Sequence, residues 1–271
     1  LECRFRKSDS LKIRVEGRDS ELIPATDRNL IWQTALKVAE GLGDLPPVEL
    51  EIHNGIPLGK GLGSSAAALT AGVVIADHLL ELKWKPHRIL DEAARIEGHP
   101  DNVAACVLGS IVASAIDASG VARAVRLELP AHFGIAIVVP DFDLPTVEAR
   151  RVLPETYSRR DAIFNIQRAA LLIGAMANGD RTAFPTALED RLHQPYRQHL
   201  IPGLEQILRL RAPGLLGCVL SGAGPSVLVF FEKGYEEVCD LVQQVFSLHG
   251  RASEVLRTEL DRRGYCLELE K

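Results

Sequence analysis

The sequence predicts an α+β fold in which helices pack on sheets as two-layer sandwiches. Three observations predict it. Segments of strand and helix periodicity interleave along the whole chain, 271 residues suffice for two modest domains, and a 46% hydrophobic composition can supply two ordinary cores. The domains are expected at residues 1–130 and 131–271, divided near Pro130, where charged strand residues give way to the apolar run Ile135 to Val139.

Residues 1–16 alternate as two strands. Asn29 to Leu42 has the apolar spacing of an amphipathic helix, with Leu30, Ile31, Ala35, Leu36 and Val38 as its buried candidates. Val48, Leu50 and Ile52 then alternate as a strand. It leads into PLGKGLGSSAAALTA, Pro57 to Ala71, a glycine-rich loop that runs into a helix of small residues. Ala66, Ala67, Ala68, Ala71 and Gly72 carry no charge and little bulk, which predicts a helix buried on most sides. Pro86 starts another helix, in which Ile89, Ala93 and Ile96 recur at helical spacing while Arg88, Asp91, Glu92 and Arg95 face elsewhere.

That helix ends in EGHPDN, Glu97 to Asn102, where Asp101 and Asn102 can cap the following run Val103 to Leu108. Two strands follow around the Asp117 to Gly120 turn, with Val125, Leu127 and Leu129 on one face. The second half reads as a strand, several helices, the strand pair Cys218 to Leu220 and Ser226 to Phe231, a helix at Tyr235 to Ser247, and terminal strands. No internal repeat, low-complexity tract or flexible linker stands out.

A net charge of -5 with no long basic run argues against nucleic acid or an anionic membrane as the main partner. No apolar run reaches membrane-spanning length and no basic-then-apolar segment opens the chain, so the expected location is the cytoplasm. The cysteines at 3, 106, 218, 239 and 266 are odd in number, scattered and free of any CxxC pair. They indicate neither a disulfide frame nor a zinc site, and read mostly as small buried apolar residues.

The glycine loop has the chemistry of a phosphate cradle. Gly59, Gly61 and Gly63 lack side chains that would hold a ligand off the backbone, so their N–H groups can converge on an anion. Ser64 and Ser65 stand at the helix start, where hydroxyls can cap free amides or approach a metal and the helix dipole favours negative charge. The Walker pattern is excluded, because Lys60 is followed by Gly61 instead of a hydroxyl residue. A dinucleotide fingerprint is excluded too: NGIPLGK separates the glycines from the preceding strand, and a helix follows where a second strand should be. EGHPDN gathers Glu97, His99, Asp101 and Asn102 around the restraint of Pro100. There a carboxylate can hold magnesium, and an amide or imidazole can orient a hydroxyl nucleophile. The glycine cluster SGAGPS, Ser221 to Ser226, joins two apolar strands and taken alone reads equally as a hairpin loop.

PLGKGLGSSAA, EGHPDNVA and LSGAGPS, in this order and spacing, resemble the second motif, the central substrate segment and the third motif of the GHMP small-molecule kinases. EGHPDN is similar in particular to the bacterial homoserine kinases, as are TVEAR, Thr146 to Arg150, and HQPYR, His193 to Arg197. The likeness extends over essentially the whole chain. It implies an N-terminal domain like the second domain of ribosomal protein S5 and a ferredoxin-like C-terminal domain. The implied activity is ATP-dependent phosphorylation of L-homoserine to O-phospho-L-homoserine, towards threonine, by a protein that resemblance suggests is a homodimer.

By the same resemblance the nucleotide lies over Pro57, Leu58, Gly59, Lys60, Gly61, Leu62, Gly63, Ser64, Ser65, Ala66 and Ala67, with its triphosphate at Gly61 to Ser65. Glu97 with Ser64 or Ser65 would hold Mg2+, with Glu92 as the alternative carboxylate. His99, Asp101, Asn102 and Gly224 would meet homoserine, Arg150 and Arg197 its carboxylate, and Thr146 the phosphate being transferred. Bidentate arginine suits a carboxylate and Asp101 an ammonium group. Phosphoryl transfer demands mainly alignment and charge neutralisation, so Asn102 or Asp101 is expected to orient the hydroxyl while phosphate accepts its proton. Asp101 as a full general base is the rival. Two other readings stay open: a GHMP kinase for a mevalonate-like or sugar alcohol, and a non-catalytic nucleotide-binding homologue. The family's first motif, resembling PATSANLGPGFD, would precede Leu1, and LECRFRK reads as the second strand of the domain. A fragment is therefore expected, with a natural truncation as the alternative.

Overall fold

A computed structural model describes residues 1–128 and 132–269; Leu129 and the boundary expected near Pro130 lie outside the described residues. Two compact units form. One comprises residues 1–58, 63–126 and the chain from 261 onward; the other comprises 59–62 and 127–260. The chain is thus not divided at a single point, as an expectation of 1–130 and 131–271 would have it.

In the first unit, β1 (Glu2–Lys7) and β2 (Lys12–Gly17) flank β3 (Val48–Asn54), which runs antiparallel to β1 and parallel to β2. A parallel neighbour needs a crossover, and helix α1 (Leu30–Ala39) lies in it. The Asn29 side chain caps α1 by accepting from the Ile31 amide at 3.0 Å. Ile31, Ala35 and Val38 are buried as expected, but Leu30 and Leu36 are exposed and Trp32 and Thr34 take buried places instead. The small-residue helix α2 (Ser64–Leu79) packs on α1 almost backbone to backbone: a Cβ on Gly72 would lie 2.5 Å from the Ile31 carbonyl oxygen. Val48, Leu50 and Ile52 close this core from the sheet side.

Helix α3 (Pro86–Glu97) begins on proline and ends at Gly98. Helix α4 (Asp101–Leu108) follows. Its N-cap is Pro100, without a side-chain cap, so Asp101 and Asn102 are its first helical residues and not the cap expected from sequence. β4 (Ile111–Ile116) and β5 (Ala122–Leu127) pair around Asp117, whose carboxylate accepts from Ser119, Val121 and Arg123 and is thereby held well below the usual carboxylate range. Chain from the C-terminal end returns to this unit. Ser110 N donates to Asp261 O at 2.6 Å, and Tyr265 packs against the core.

The second unit carries an antiparallel sheet ordered β7–β8–β6–β9, formed by β6 (Phe133–Pro140), β7 (Leu215–Leu220), β8 (Val227–Glu232) and β9 (Ser253–Arg257). Its helices are α5 (Thr146–Arg151), α6 (Arg159–Asn178), α7 (Phe184–Ala187), α8 (Gln194–Arg197), α9 (Leu204–Leu208) and α10 (Val238–Leu248). Val238, Val242, Val245 and Phe246 of α10 are buried in one core with Val138, Val227 and Val229 of the sheet. Among the described residues β9 is the only strand after α10, where terminal strands are expected. Cys218 and Cys239 are buried, and burial pushes the Cys218 thiol up to about 12; Cys3 and Cys106 are half-buried and Cys266 is exposed.

Candidate active site

Within the first unit, the mouth of α2 has the makings of an anion site. Gly63, the N-cap, carries no side chain and sits at φ +72°, and the first amide there with a backbone acceptor is Ala67 N, on Gly63 O at 3.0 Å. Among the described residues the amides ahead of it find no backbone acceptor, and they stand at the positive end of a 16-residue helix, which favours negative charge. Asn102 lies beside this mouth: a Cβ on Gly63 would stand 3.9 Å from its Oδ1. Leu58 N donates to Asp19 Oδ2 at 2.8 Å, fixing the entry to the loop.

His99 Nδ1 lies 2.6 Å from Asp101 Oδ1, the oxygen that also accepts from Asn102 N at 2.9 Å, so the EGHPDN side chains order one another. Asp101 keeps its second oxygen and a side chain 72% exposed. The two candidate metal carboxylates differ. Glu92 is buried and engaged by Arg88 and Arg95 through both oxygens, so it does not face elsewhere as the helical spacing implies. Glu97, at the last turn of α3, is half-buried with no such clamp. No group of three metal-ligating side chains forms among the described residues. A magnesium ion that arrives on phosphate needs only one or two protein carboxylates.

Within the second unit, Gly59 to Leu62 is stitched to the loop 221–226 between β7 and β8. Ser221 Oγ donates to Gly61 O at 2.9 Å, and Ser226 N donates to Lys60 O at 3.3 Å. Gly224 N closes the same loop on Ser221 O at 2.8 Å. The Lys60 side chain is only 11% exposed; its ammonium donates to Phe142 O and pairs with Asp143 Oδ1, each at 2.7 Å. The side chain thus ties the loop to the segment ahead of α5, and only its backbone is left for a nucleotide. Lys60→Met is expected to raise the KM for ATP about three- to tenfold with kcat nearly unchanged, in steady-state assays at saturating second substrate.

Arg197 is 8% exposed and braced on three sides. Its Nε donates to Ala149 O at 3.0 Å, and its Nη1 to Gly222 O and towards His193 Nδ1, each at 3.2 Å. Burial lowers its pKa, Asp190 and Tyr157 oppose that, and the Arg150 charge adds to it. Thr146, the first residue of α5, is exposed. The loop 221–226 is therefore the hub of this half, touching Gly61 on one side and Arg197 on the other.

Sequence reasoning missed Asp190. Its carboxylate accepts from the amides of Leu192, His193 and Gln194 and from Asn165 Nδ2, at 2.6–3.2 Å, and so fixes the HQPYR turn. An acid just ahead of a proline-marked helix start is the signal that could have found it. Gln194 is buried, and its Oε1 accepts from Leu220 N at 2.8 Å, tying α8 to the end of β7.

Comparison with known proteins finds two family domains in the chain. The GHMP kinases N terminal domain matches residues 29–110 and the GHMP kinases C terminal domain matches 172–246. A homoserine kinase of Solibacter usitatus is 70% identical over 268 residues, 98% of this chain and 88% of that protein. The chain belongs to the homoserine kinase family of the GHMP kinases. A homoserine kinase of Deinococcus radiodurans is 39% identical over 99% of this chain and 88% of its own. The crystal structure of homoserine kinase from Cytophaga hutchinsonii shares the fold with a TM-score of 0.80 at 25% identity, over 97% of this chain and 86% of that one. The motif set that pointed to GHMP kinases, and to homoserine kinases through EGHPDN, is borne out by these relatives.

Proposed function

We propose that this chain transfers the γ-phosphoryl group of ATP to the side-chain hydroxyl of L-homoserine, giving O-phospho-L-homoserine, a step towards threonine. The observation that carries this reading is the hub loop 221–226, which holds an anion-cradling glycine segment and a buried, braced arginine of the kind an amino-acid carboxylate requires. Similarity to homoserine kinases over nearly the whole chain supports the same substrate.

In this reading the amides at Gly61 to Ser65 take the triphosphate, and Arg197 with Arg150 takes the carboxylate. Asp101 meets the ammonium group and Asn102 orients the hydroxyl. Magnesium, when bound, neutralises charge on the phosphates, and Glu97 with Ser64 or Ser65 would hold it. Asp101 Oδ1 already accepts from His99 and Asn102 N, an arrangement suited to positioning. Asp101→Asn is therefore expected to raise the KM for homoserine ten- to a hundredfold, about 1.4–2.7 kcal/mol, with kcat within about fivefold and no new pH dependence. A general base would show the reverse: a collapse of kcat that varies with pH.

A coupled ADP-release assay with magnesium-ATP tests the reading against homoserine, mevalonate and galactose. Turnover confined to homoserine is expected; turnover of another alcohol, or nucleotide binding without turnover, would overturn it. Among the described residues no helix is long and apolar enough to cross a membrane. A cytoplasmic homodimer is the setting we propose.

A further inference from the structure

We propose that His193 is a positioning residue, whose Nδ1 holds the Arg197 guanidinium in the pose that grips the substrate carboxylate. The inference rests on the reading of Arg197 given above and extends it to a residue with no direct part in that grip. Arg197 Nη1 lies 3.2 Å from His193 Nδ1, one turn earlier on the same short helical segment. A guanidinium can only donate, so Nδ1 must be the bare acceptor and the ring proton must sit on Nε2. The surroundings favour that tautomer: Nε2 faces Asp190 Oδ1 at 3.8 Å, and Asp190 is locked by its four hydrogen bonds.

The chain therefore runs from Asp190 through the imidazole to Arg197. The remaining braces on Arg197, Ala149 O and Gly222 O, are backbone atoms that do not titrate. The charged or titratable groups around the pair are Asp190, Arg150 and Tyr157, whose hydroxyl donates to Leu192 O. Protonating Nδ1 would set two donors and two positive charges against each other, and Arg197 would lose one brace and its pose. Burial depresses the His193 pKa, Asp190 opposes this, and Arg197 adds to it, so the neutral acceptor form prevails at neutral pH and is lost only below the ordinary histidine range, about 6.5.

The test is the KM for homoserine at saturating ATP, measured from pH 7.5 to 5.5. The native protein should show a rise of roughly five- to tenfold towards acid. His193→Asn, which offers an amide oxygen near the Nδ1 position and does not titrate, should keep the neutral-pH KM and flatten the rise. His193→Leu should raise KM about tenfold at every pH, with kcat and the KM for ATP near native. An Asn variant that keeps the native acid rise, or a Leu variant with native KM, would overturn the proposal.

A second measurement is independent of turnover: the His193 imidazole resonances should titrate at higher pH in Arg197→Gln than in the native protein. An unmoved titration overturns the contact. A native protein that fails to phosphorylate homoserine at any pH would instead sink the functional reading, with the resonance experiment still deciding whether His193 and Arg197 are coupled.

Discussion

Arg197→Leu is expected to raise the KM for homoserine by two to three orders of magnitude while leaving the KM for ATP within a few-fold. The side chain is 8% exposed, and its Nε and Nη1 are committed to Ala149 O, Gly222 O and His193 Nδ1. Among the described residues no hydrogen bond engages Nη2, which the bracing leaves for a ligand. A carboxylate that meets such a pre-set cation away from water loses about 2–5 kcal/mol when the cation is removed. Arg197→Lys should rescue little, because an ammonium group cannot reproduce a planar fork that donates in three directions at once. Steady-state kinetics with each substrate varied in turn check this. An equal rise in both KM values, with a fall in melting temperature, would mean that Arg197 serves folding and not the amino acid.

The second large effect is expected at Gly61. It has φ +75°, and a Cβ there would fall on the Ser221 carbonyl oxygen, with Gly224 N and O at 2.9 Å. These are backbone atoms of a loop that Arg197 and Ser226 also hold, so they cannot turn aside as a flexible side chain would. Gly61→Ala should therefore detach the glycine segment from the hub, costing at least about 2 kcal/mol of stability and more than tenfold in ATP affinity. Gly59→Ala is the control. It also has positive φ, +66°, but nothing lies within 4 Å of its added Cβ, so only the backbone strain of about 1 kcal/mol is expected. Thermal melting and equilibrium nucleotide binding on both variants separate the clash from the strain; a Gly61→Ala protein that matches Gly59→Ala in both would exclude the hub contact.

Much of this architecture is legible in the chain. Alternation at Val48, Leu50 and Ile52, the small-residue run after Gly63, and the proline start of α3 each report a local preference that the core reinforces. What sequence conceals is which partner a side chain finds. Glu92 reads as part of a solvated charged face, yet Arg88 and Arg95 at helical spacing neutralise it and let it be buried. Leu30 and Leu36 fit an apolar stripe, yet both are exposed. The site is legible to a similar depth. Its glycine loop and EGHPDN announce themselves by residue type. The turn of Lys60 towards Phe142, and the tie of Gln194 to Leu220, depend on contacts across 82 and 26 residues that periodicity does not encode.

The return of residues 261–265 to the first unit bears on the order of assembly during synthesis. Ser110 N takes its partner from Asp261, and a Cβ on Gly264 would strike the Val107 carbonyl, so the end of the EGHPDN helix is finished by chain translated some 150 residues later. A nascent polypeptide released in stages must leave that helix end bare until residues 261–265 emerge, whereas the unit between has its described strands by Arg257. Completion of the N-terminal body thereby waits on chain made after the other unit.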